Sequence, residues 1–201
     1  MYPRNAQNPL KEQMILQGEL EPTNEGYAIA KIGVAKLCEY ICKSNSARNY
    51  KTIIPCNLYG KYDKYDPAHS HMIPAVIKKL DDAKNSNQAV ISIWGDGTAR
   101  REFMSASDLA DFIFYAVDKT ELLPQYMNVG LGYDYSILDY YKEISEVVGY
   151  DGEFNFDTSK PVGMKQKLVD ISKLESFGWR HNLSLREGLI EAYQFYKLGQ
   201  S

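Results

Sequence analysis

The segment EGYAIAKIGVAKLCEYICKS, residues 25–44, has the pattern of a long helix. Thr23 and Asn24 precede it and can cap a helix, which we predict to run through Tyr27 to about residue 43. Tyr27 and Lys31 lie four residues apart and would share one helix face. An ammonium group beside a phenol stabilises the phenolate and lowers its pKa, so the pair suits a general acid assisted by a cation. The spacing alone is weak evidence, because Tyr-x-x-x-Lys also arises by chance.

Length and composition indicate a folded protein of one domain or a domain and a half: 201 residues, 44% hydrophobic and 24% charged. The net charge of −3 gives no reason to expect nucleic acid or an acidic membrane as partner. The apolar stretches are far shorter than the ~20 residues of a membrane span, and the polar start does not resemble a signal peptide. We therefore expect a cytoplasmic protein without a metal site, with Cys38, Cys42 and Cys56 as reduced thiols.

Strand and helix patterns alternate after the first 24 residues, which have no clear period and are interpreted as a loop or lid. The predicted strands lie in KTIIPCNLYG, AVISIWGDG, QYMNVGLG and GEFNFD. The further predicted helices are HMIPAVIKKLDDA, SASDLADFIFYAVDK, SILDYYKEISEVVGY (capped by Ser136 and ended by Gly149), DISKLESFGW and SLREGLIEAYQFYKL. Alternation favours an α/β fold with a mainly parallel sheet, whose ligands bind beyond the carboxyl ends of its strands. The loops after Pro55, Trp94 and Val129 are the places to search, with NVGLG interpreted as a turn and not as a dinucleotide cradle.

Several motifs arrive in order at suitable intervals: EPTNEGYAIAKIGVAKLCEY, IIPCNLYGKYD, SHMIPAVIKKL, IWGDGTARREF and MNVGLG. Together they resemble the extended short-chain dehydrogenase/reductase (NAD-dependent epimerase/dehydratase) family. Within it they are most similar to the group that epimerises and reduces GDP-4-keto-6-deoxymannose to GDP-L-fucose with NADPH. The resemblance, which extends to about residue 198, implies the carboxyl-terminal part of a Rossmann-type doubly wound sheet plus a small α/β substrate-binding domain. Residues 1–60 would be the remainder of the dinucleotide-binding domain, and residues 61–201 would mostly bind the nucleotide sugar, with some segments returning to the Rossmann sheet.

The resemblance also implies roles for single residues. Tyr27 would donate a proton to the C4 oxygen, and Lys31 would bind the nicotinamide ribose and lower the pKa of Tyr27. His71 would match the acid/base of epimerisation, a task that suits an imidazole. The NADP(H) contacts implied in this way are Tyr27, Lys31, Pro55, Asn57, Leu58 and His71.

The implied substrate contacts are Asn57, Lys79, Trp94, Arg101 and Lys167. Arg101 and Lys167 match basic residues that hold the GDP pyrophosphate through charge-assisted hydrogen bonds. Lys79 stands where relatives have arginine. The lysine keeps the positive charge but lacks the bidentate fork of a guanidinium group. The alternatives are solvated cations, a core tryptophan at Trp94 and a surface helix-capping histidine at His71. Asp108 is interpreted as capping or orienting a helix.

The family's epimerisation cysteine and its glycine-rich phosphate cradle would both fall before residue 1. Cys56 does not replace that cysteine, because it falls where relatives carry a small neutral residue. We therefore expect a carboxyl-terminal portion of a longer enzyme, inactive alone, which the resemblance implies to be a homodimer through the Tyr27 helix. Two other interpretations stay open: a GDP-4-keto-heptose (or other GDP-4-keto sugar) C4 reductase, and a non-catalytic nucleotide-sugar-binding module.

Overall fold

A computed structural model describes residues 1–66, 69–159 and 164–199. Its helices are α1 (Glu25–Ser44), α2 (Met72–Asn85), α3 (Ala106–Val117), α4 (Ile137–Val148), α5 (Ser172–Phe177) and α6 (Leu185–Leu198). Its strands are β1 (Thr52–Pro55), β2 (Asn57–Tyr59), β3 (Val90–Trp94), β4 (Arg100–Arg101), β5 (Phe103–Ser105), β6 (Tyr126–Val129), β7 (Tyr135–Ser136), β8 (Glu153–Asp157) and β9 (Gln166–Lys167). All six predicted helices and the four predicted strands are present, and the α/β prediction is confirmed.

Parallel pairing dominates the strands. β1 pairs with β6, β2 with β5 and β3 with β8, each in parallel register. β4 lies between β9, which is parallel to it, and β7, which is antiparallel. The unpredicted strands β2, β4, β5, β7 and β9 have only two or three residues each, too few for an alternating pattern to show in the sequence.

The helix ends show which capping predictions were right. Ser136 accepts a hydrogen bond from the Asp139 N–H in a capping box, and Gly149 ends α4 in the left-handed conformation, as predicted. The predicted cap of α1 is wrong in its mechanism. Asn24 occupies the capping position but its side chain makes no capping hydrogen bond, and Thr23 lies in a preceding 3₁₀ turn.

The amino-terminal segment is irregular, as predicted, but part of it is fixed in the core. Leu10 is fully buried and forms an isolated parallel bridge with Val169. Glu12 is also buried; it accepts a hydrogen bond from the Asn128 N–H (3.0 Å) and pairs with Lys173 (3.2 Å). These contacts do not fit a lid, because opening this part of the segment would expose a buried leucine and leave a buried backbone N–H unpaired.

The buried apolar residues form two clusters. One joins α2, α4 and α6 to β3, β5 and their loops, and the other joins α3, α5 and β6. In the second cluster the rings of Phe112 and Trp179 meet edge to face at 5.4 Å, and Trp179 donates to Asp111. The two clusters give the molecule rigid parts against which a binding site can be positioned. No helix within the described ranges is long and apolar enough to cross a membrane.

Helix α1 buries only a narrow face, made of Ala28, Ile32 and Ala35. Near its other end, Tyr126 of β6 donates a hydrogen bond to Glu39 (2.6 Å). Hydrogen bonds from Lys43, Tyr126 and Lys36 lower the pKa of Glu39 to about 2. A set of large apolar side chains elsewhere on the helix stays exposed: Ile29, Val34, Leu37 and Tyr40.

Candidate active site

One cleft of about 1410 Å³ brings together all of the site residues predicted from the sequence. They are Tyr27, Lys31, Pro55, Asn57, Leu58, His71, Lys79, Trp94, Arg101 and Lys167. Residues of the first apolar cluster, such as Ile93 and Tyr141, form part of its wall, together with Ile53 and Leu58, which pack against the second cluster. The roles of the ten residues stay predictions, but their convergence on one concave surface is what a binding site requires.

Tyr27 and Lys31 lie on the face of α1 that meets the cleft. The Lys31 Nζ is 5.5 Å from the centre of the Tyr27 ring. Both side chains are exposed, with Tyr27 at 62% of its maximum. A phenol and a neighbouring ammonium group are therefore accessible to a molecule bound in the cleft.

The β1–β2 connection forms the next part of the wall. The Cys56 N–H donates to the Val129 carbonyl (2.9 Å), and the Asn57 side-chain amide donates to the Glu102 carbonyl (2.8 Å). Burial, followed by the charge of Glu102, raises the pKa of the Cys56 thiol. A thiol held protonated is a poor nucleophile and base, in agreement with the interpretation that Cys56 does not replace the epimerisation cysteine.

His71 is the capping residue of α2, but its ring is not used for capping. The ring is exposed, and its Nδ1 lies 3.5 Å from the Asp63 carboxylate. Only 15% of the Asp63 side chain is exposed. Sequence reasoning missed Asp63, because nothing in the spacing of KYDKYD marks one aspartate as the partner of a histidine eight residues later.

The two predicted phosphate ligands are neighbours across a strand pair. Arg101 of β4 lies opposite Lys167 of β9 in register. The Arg101 guanidinium donates to the Met164 carbonyl (2.7 Å), and burial lowers its pKa. Lys167 reaches water, yet the surrounding protein and then the charge of Arg101 lower the pKa of its ammonium group. Two adjacent cations that disfavour each other are stabilised by an anion placed between them.

Lys79 and Trp94 complete the side of the cleft next to β3. The Lys79 ammonium donates to the Ser92 carbonyl (2.5 Å), and burial lowers its pKa. Trp94, at the end of β3, is 69% exposed, so its alternative interpretation as a core residue is wrong. Its exposed ring offers an aromatic surface for a nucleotide or sugar.

The loop predictions were right in two cases and wrong in one. Cys56 and Asn57 after Pro55 line the cleft, and so do Gly97 and Ala99 after Trp94. The loop after Val129 does not. Its N–H groups at residues 131 and 132 donate to the buried carboxylate of Glu102, a residue that no sequence pattern marks as part of the site. Asp108 is buried and accepts from the N–H groups of Asn182 and Leu183, so it fixes the segment before α6 and does not cap its own helix.

Residues 1–130 match the NAD dependent epimerase/dehydratase family. The chain belongs to this family. It is 56% identical to a GDP-L-colitose synthase of Yersinia pseudotuberculosis, over 98% of the chain and 64% of that protein. It is 50% identical to a GDP-L-fucose synthase of Azorhizobium caulinodans, over 99% of the chain and 64% of that protein. The family predicted from the motifs is thereby confirmed.

Solved structures agree in fold. A GDP-6-OMe-4-keto-L-xylo-heptose reductase of Campylobacter jejuni superposes with a TM-score of 0.87 at 32% identity, over 99% of this chain and 68% of that one. A GDP-mannoheptose C4 reductase of the same organism, with NADP bound, gives 0.85 at 32% identity, over 98% and 67%. The chain spans less than two thirds of the length of the curated relatives named above.

No group of three or more histidine, cysteine, aspartate or glutamate side chains in the described part of the chain could hold a metal ion.

Proposed function

We propose that this chain supplies the catalytic helix and the substrate-binding region of an NADP(H)-dependent enzyme that epimerises and reduces a GDP-linked 4-keto sugar. The observation that carries the proposal is the convergence of all ten predicted site residues on one cleft. The names of the relatives support it, since each acts on or makes a GDP-linked sugar. We keep residues 1–60 as the proposed remainder of the cofactor domain and residues 61–201 as mostly the substrate domain. The pairing of β1 with β6 fits a later segment that returns to the first domain.

We assign the nicotinamide end of NADP(H) to the part of the cleft next to α1. Tyr27, Lys31, Pro55, Asn57, Leu58 and His71 would hold it there. When bound, NADPH supplies a hydride for reduction. On the protein's side, the Tyr27 hydroxyl donates a proton to the C4 oxygen of the sugar. The Lys31 ammonium stabilises the phenolate that remains, because an opposite charge nearby favours the ionised phenol.

Epimerisation needs one group that removes a proton from a carbon beside the ketone and a second group that returns a proton to the opposite face, and we propose His71 for one of these two roles. His71 suits this role, because its ring is exposed at the cleft and an imidazole takes and gives protons near neutral pH. Asp63, 3.5 Å from Nδ1, would leave the other ring nitrogen to face the substrate.

The identity of the sugar is the most specific part of the proposal. The motifs favour GDP-4-keto-6-deoxymannose, converted to GDP-L-fucose, and the 50% identical relative is named for that product. The 56% identical relative is named for GDP-L-colitose, whose sugar is fucose without its 3-hydroxyl group. The names of the Campylobacter reductases support a GDP-4-keto-heptose as the alternative substrate.

A chimera tests these alternatives. This chain would replace the matching 199 residues of the Azorhizobium GDP-L-fucose synthase, and the purified chimera would be offered each GDP-4-keto sugar with NADPH. We expect turnover of GDP-4-keto-6-deoxymannose or of its 3-deoxy counterpart, and none by the chain alone. A chimera that folds and binds GDP but turns over none of the sugars would support the non-catalytic binding module instead.

Replacing either cation of the β4–β9 pair should weaken GDP binding. We expect Arg101→Gln and Lys167→Gln each to raise the Kd for GDP by about tenfold, since each removes a charge-assisted hydrogen bond to phosphate. Calorimetric titration of the chain with GDP measures this. Arg186→Gln is the matched control, because Arg186 is an exposed arginine paired with Glu143 and Glu146 away from the cleft. Equal affinities for all four proteins would contradict the assignment of the phosphate site.

The homodimer also stays a proposal, supported by the exposed apolar side chains of α1. We expect Leu37→Asp to convert a dimer into a monomer in sedimentation velocity, because a charge in an apolar interface is costly to bury. Phe114→Asp on α3 is the control, since Phe114 is 83% exposed but lies on another helix. A wild-type chain that sediments as a monomer at every concentration would contradict a dimer through α1.

A further inference from the structure

Glu102 is a fully buried carboxylate in the wall of the cleft. One of its oxygens accepts hydrogen bonds from the N–H groups of Leu131 (2.5 Å) and Gly132 (2.9 Å), and the other accepts from the N–H of Val169 (2.9 Å). Burial raises the pKa of this carboxyl, and the three N–H groups act in the opposite direction. Donors at both oxygens are the arrangement that an ionised carboxylate satisfies, because it has only acceptors.

These bonds join the segments that carry the proposed ligand contacts. Glu102 directly follows Arg101, and its own carbonyl accepts the side-chain amide of Asn57. Val169 comes two residues after Lys167, so the bond to its N–H holds the strand that carries the second cation. A single side chain therefore ties the Arg101 and Lys167 segments to each other and to the loop after β6.

The residues around the Glu102 carboxylate leave little free space beside it. A Cβ atom at Gly130 would lie 2.4 Å from the Glu102 Oε1 and 2.7 Å from a Val169 methyl group. Any other residue at position 130 would displace the carboxylate or the strand that it holds. The β4–β9 pair has only two residues per strand, so backbone pairing alone fixes the spacing of its cations weakly.

We infer that Glu102 is a positioning residue for the diphosphate of the substrate: it sets the distance between Arg101 and Lys167 and thereby the affinity of the cleft for a nucleoside diphosphate. The inference rests on the proposed function and deepens it. An amide cannot replace the carboxylate, because its NH₂ group would face at least one of the three backbone N–H donors. Such a variant keeps both cations, but the distance between them changes. Binding groups that are misplaced in this way lose much of their contribution to affinity.

Asp108 provides a matched control for Glu102. It is also a buried carboxylate that accepts two backbone N–H groups, from Asn182 (2.9 Å) and Leu183 (3.4 Å), but it does not line the cleft. Glu102→Gln and Asp108→Asn therefore remove the same kind of buried charge. Any general loss of stability should be shared by both variants, and a loss of affinity should be confined to the first.

The experiment is calorimetric titration of the chain with GDP, with thermal unfolding measured on the same samples. We expect Glu102→Gln to raise the Kd by about tenfold and Asp108→Asn by less than about twofold, although both lower Tm. In a double-mutant cycle with Lys167→Gln, the effect of Glu102→Gln should shrink, because the residue acts through Lys167. A purely structural role would leave the two effects independent.

Four results would overturn the inference. Equal Kd values for Glu102→Gln and wild type would overturn the inference but leave the proposed function standing. Independent effects in the double-mutant cycle would do the same. Absence of GDP binding by the wild-type chain would overturn the proposed function and this inference with it. If Glu102→Gln does not fold, Glu102→Asp replaces it, since it keeps the charge but is one methylene too short to reach all three donors. We then expect a Kd raised by about threefold, and an unchanged Kd would overturn the inference.

Discussion

Tyr27→Phe is expected to lower the rate of sugar reduction in the chimeric enzyme by about 100- to 10,000-fold, the usual contribution of a positioned general acid. The change removes one oxygen from a side chain that is 62% exposed, so it should not disturb packing. Binding of the GDP-sugar should be unaffected, because the proposed phosphate ligands lie on β4 and β9. The loss should therefore appear in kcat and not in KM.

Tyr40→Phe is the control that the same helix offers. Tyr40 is also 62% exposed, and the Lys43 Nζ lies 5.7 Å from its ring, nearly the distance from Lys31 to the Tyr27 ring. The two pairs differ in place, because only Tyr27 and Lys31 line the cleft. The measurement is the rate of NADPH consumption by each variant. A Tyr27→Phe enzyme within tenfold of the Tyr40→Phe enzyme would show that Tyr27 is not the proton donor.

This pair of tyrosines also shows what sequence spacing can and cannot tell. Tyr-x-x-x-Lys and Tyr-x-x-Lys both occur on α1, and both bring an ammonium group over a ring. Local geometry does not separate them. The order of the surrounding motifs does, because it carries the family resemblance, which implies that Tyr27 and Lys31 are the proton-transfer pair.

Helices were predictable because their signals are local. The Ser136 capping box, the left-handed Gly149 and the apolar period between them lie within one short segment. Strands β4 and β9 were not predictable, because two residues become a strand only when a partner from a distant part of the chain supplies the hydrogen bonds. The prediction of a side-chain cap for α1 was wrong for a related reason. A 3₁₀ turn before the helix replaces the side-chain cap that Thr23 and Asn24 could have provided.

Glu102 marks the limit of prediction for the site itself. It lies in the charged run TARREF, which looks like a solvated surface, yet its side chain is fully buried. Burial is tolerated because three N–H groups from two distant segments meet the carboxylate. No pattern near position 102 indicates those donors. Gly130 was noticed only as part of a turn, although its small size is what allows the carboxylate to fit.

Gly130→Ala should therefore be among the most destabilising single-methyl additions in this chain. The added Cβ would lie 2.4 Å from the Glu102 Oε1 and 2.7 Å from Val169. Neither neighbour can move cheaply, since the carboxylate is held by three hydrogen bonds and the valine is buried and stiff at χ1. Overpacking and the loss of one or more of these bonds should together lower the free energy of unfolding by about 2–4 kcal/mol.

Gly33→Ala is the matched control, with the opposite sign expected. Gly33 lies in α1, and a Cβ there would meet nothing within 4 Å. Alanine in place of glycine inside a helix should raise the free energy of unfolding by about 0.5–1 kcal/mol. Urea unfolding of wild type and both variants measures the two changes in the free energy of unfolding. The comparison is valid if the m-values of the three proteins agree. A Gly130→Ala chain as stable as wild type would mean that the carboxylate can move aside at little cost. Glu102 could then not hold the spacing of Arg101 and Lys167, so the same stability measurement bears on the proposed phosphate site.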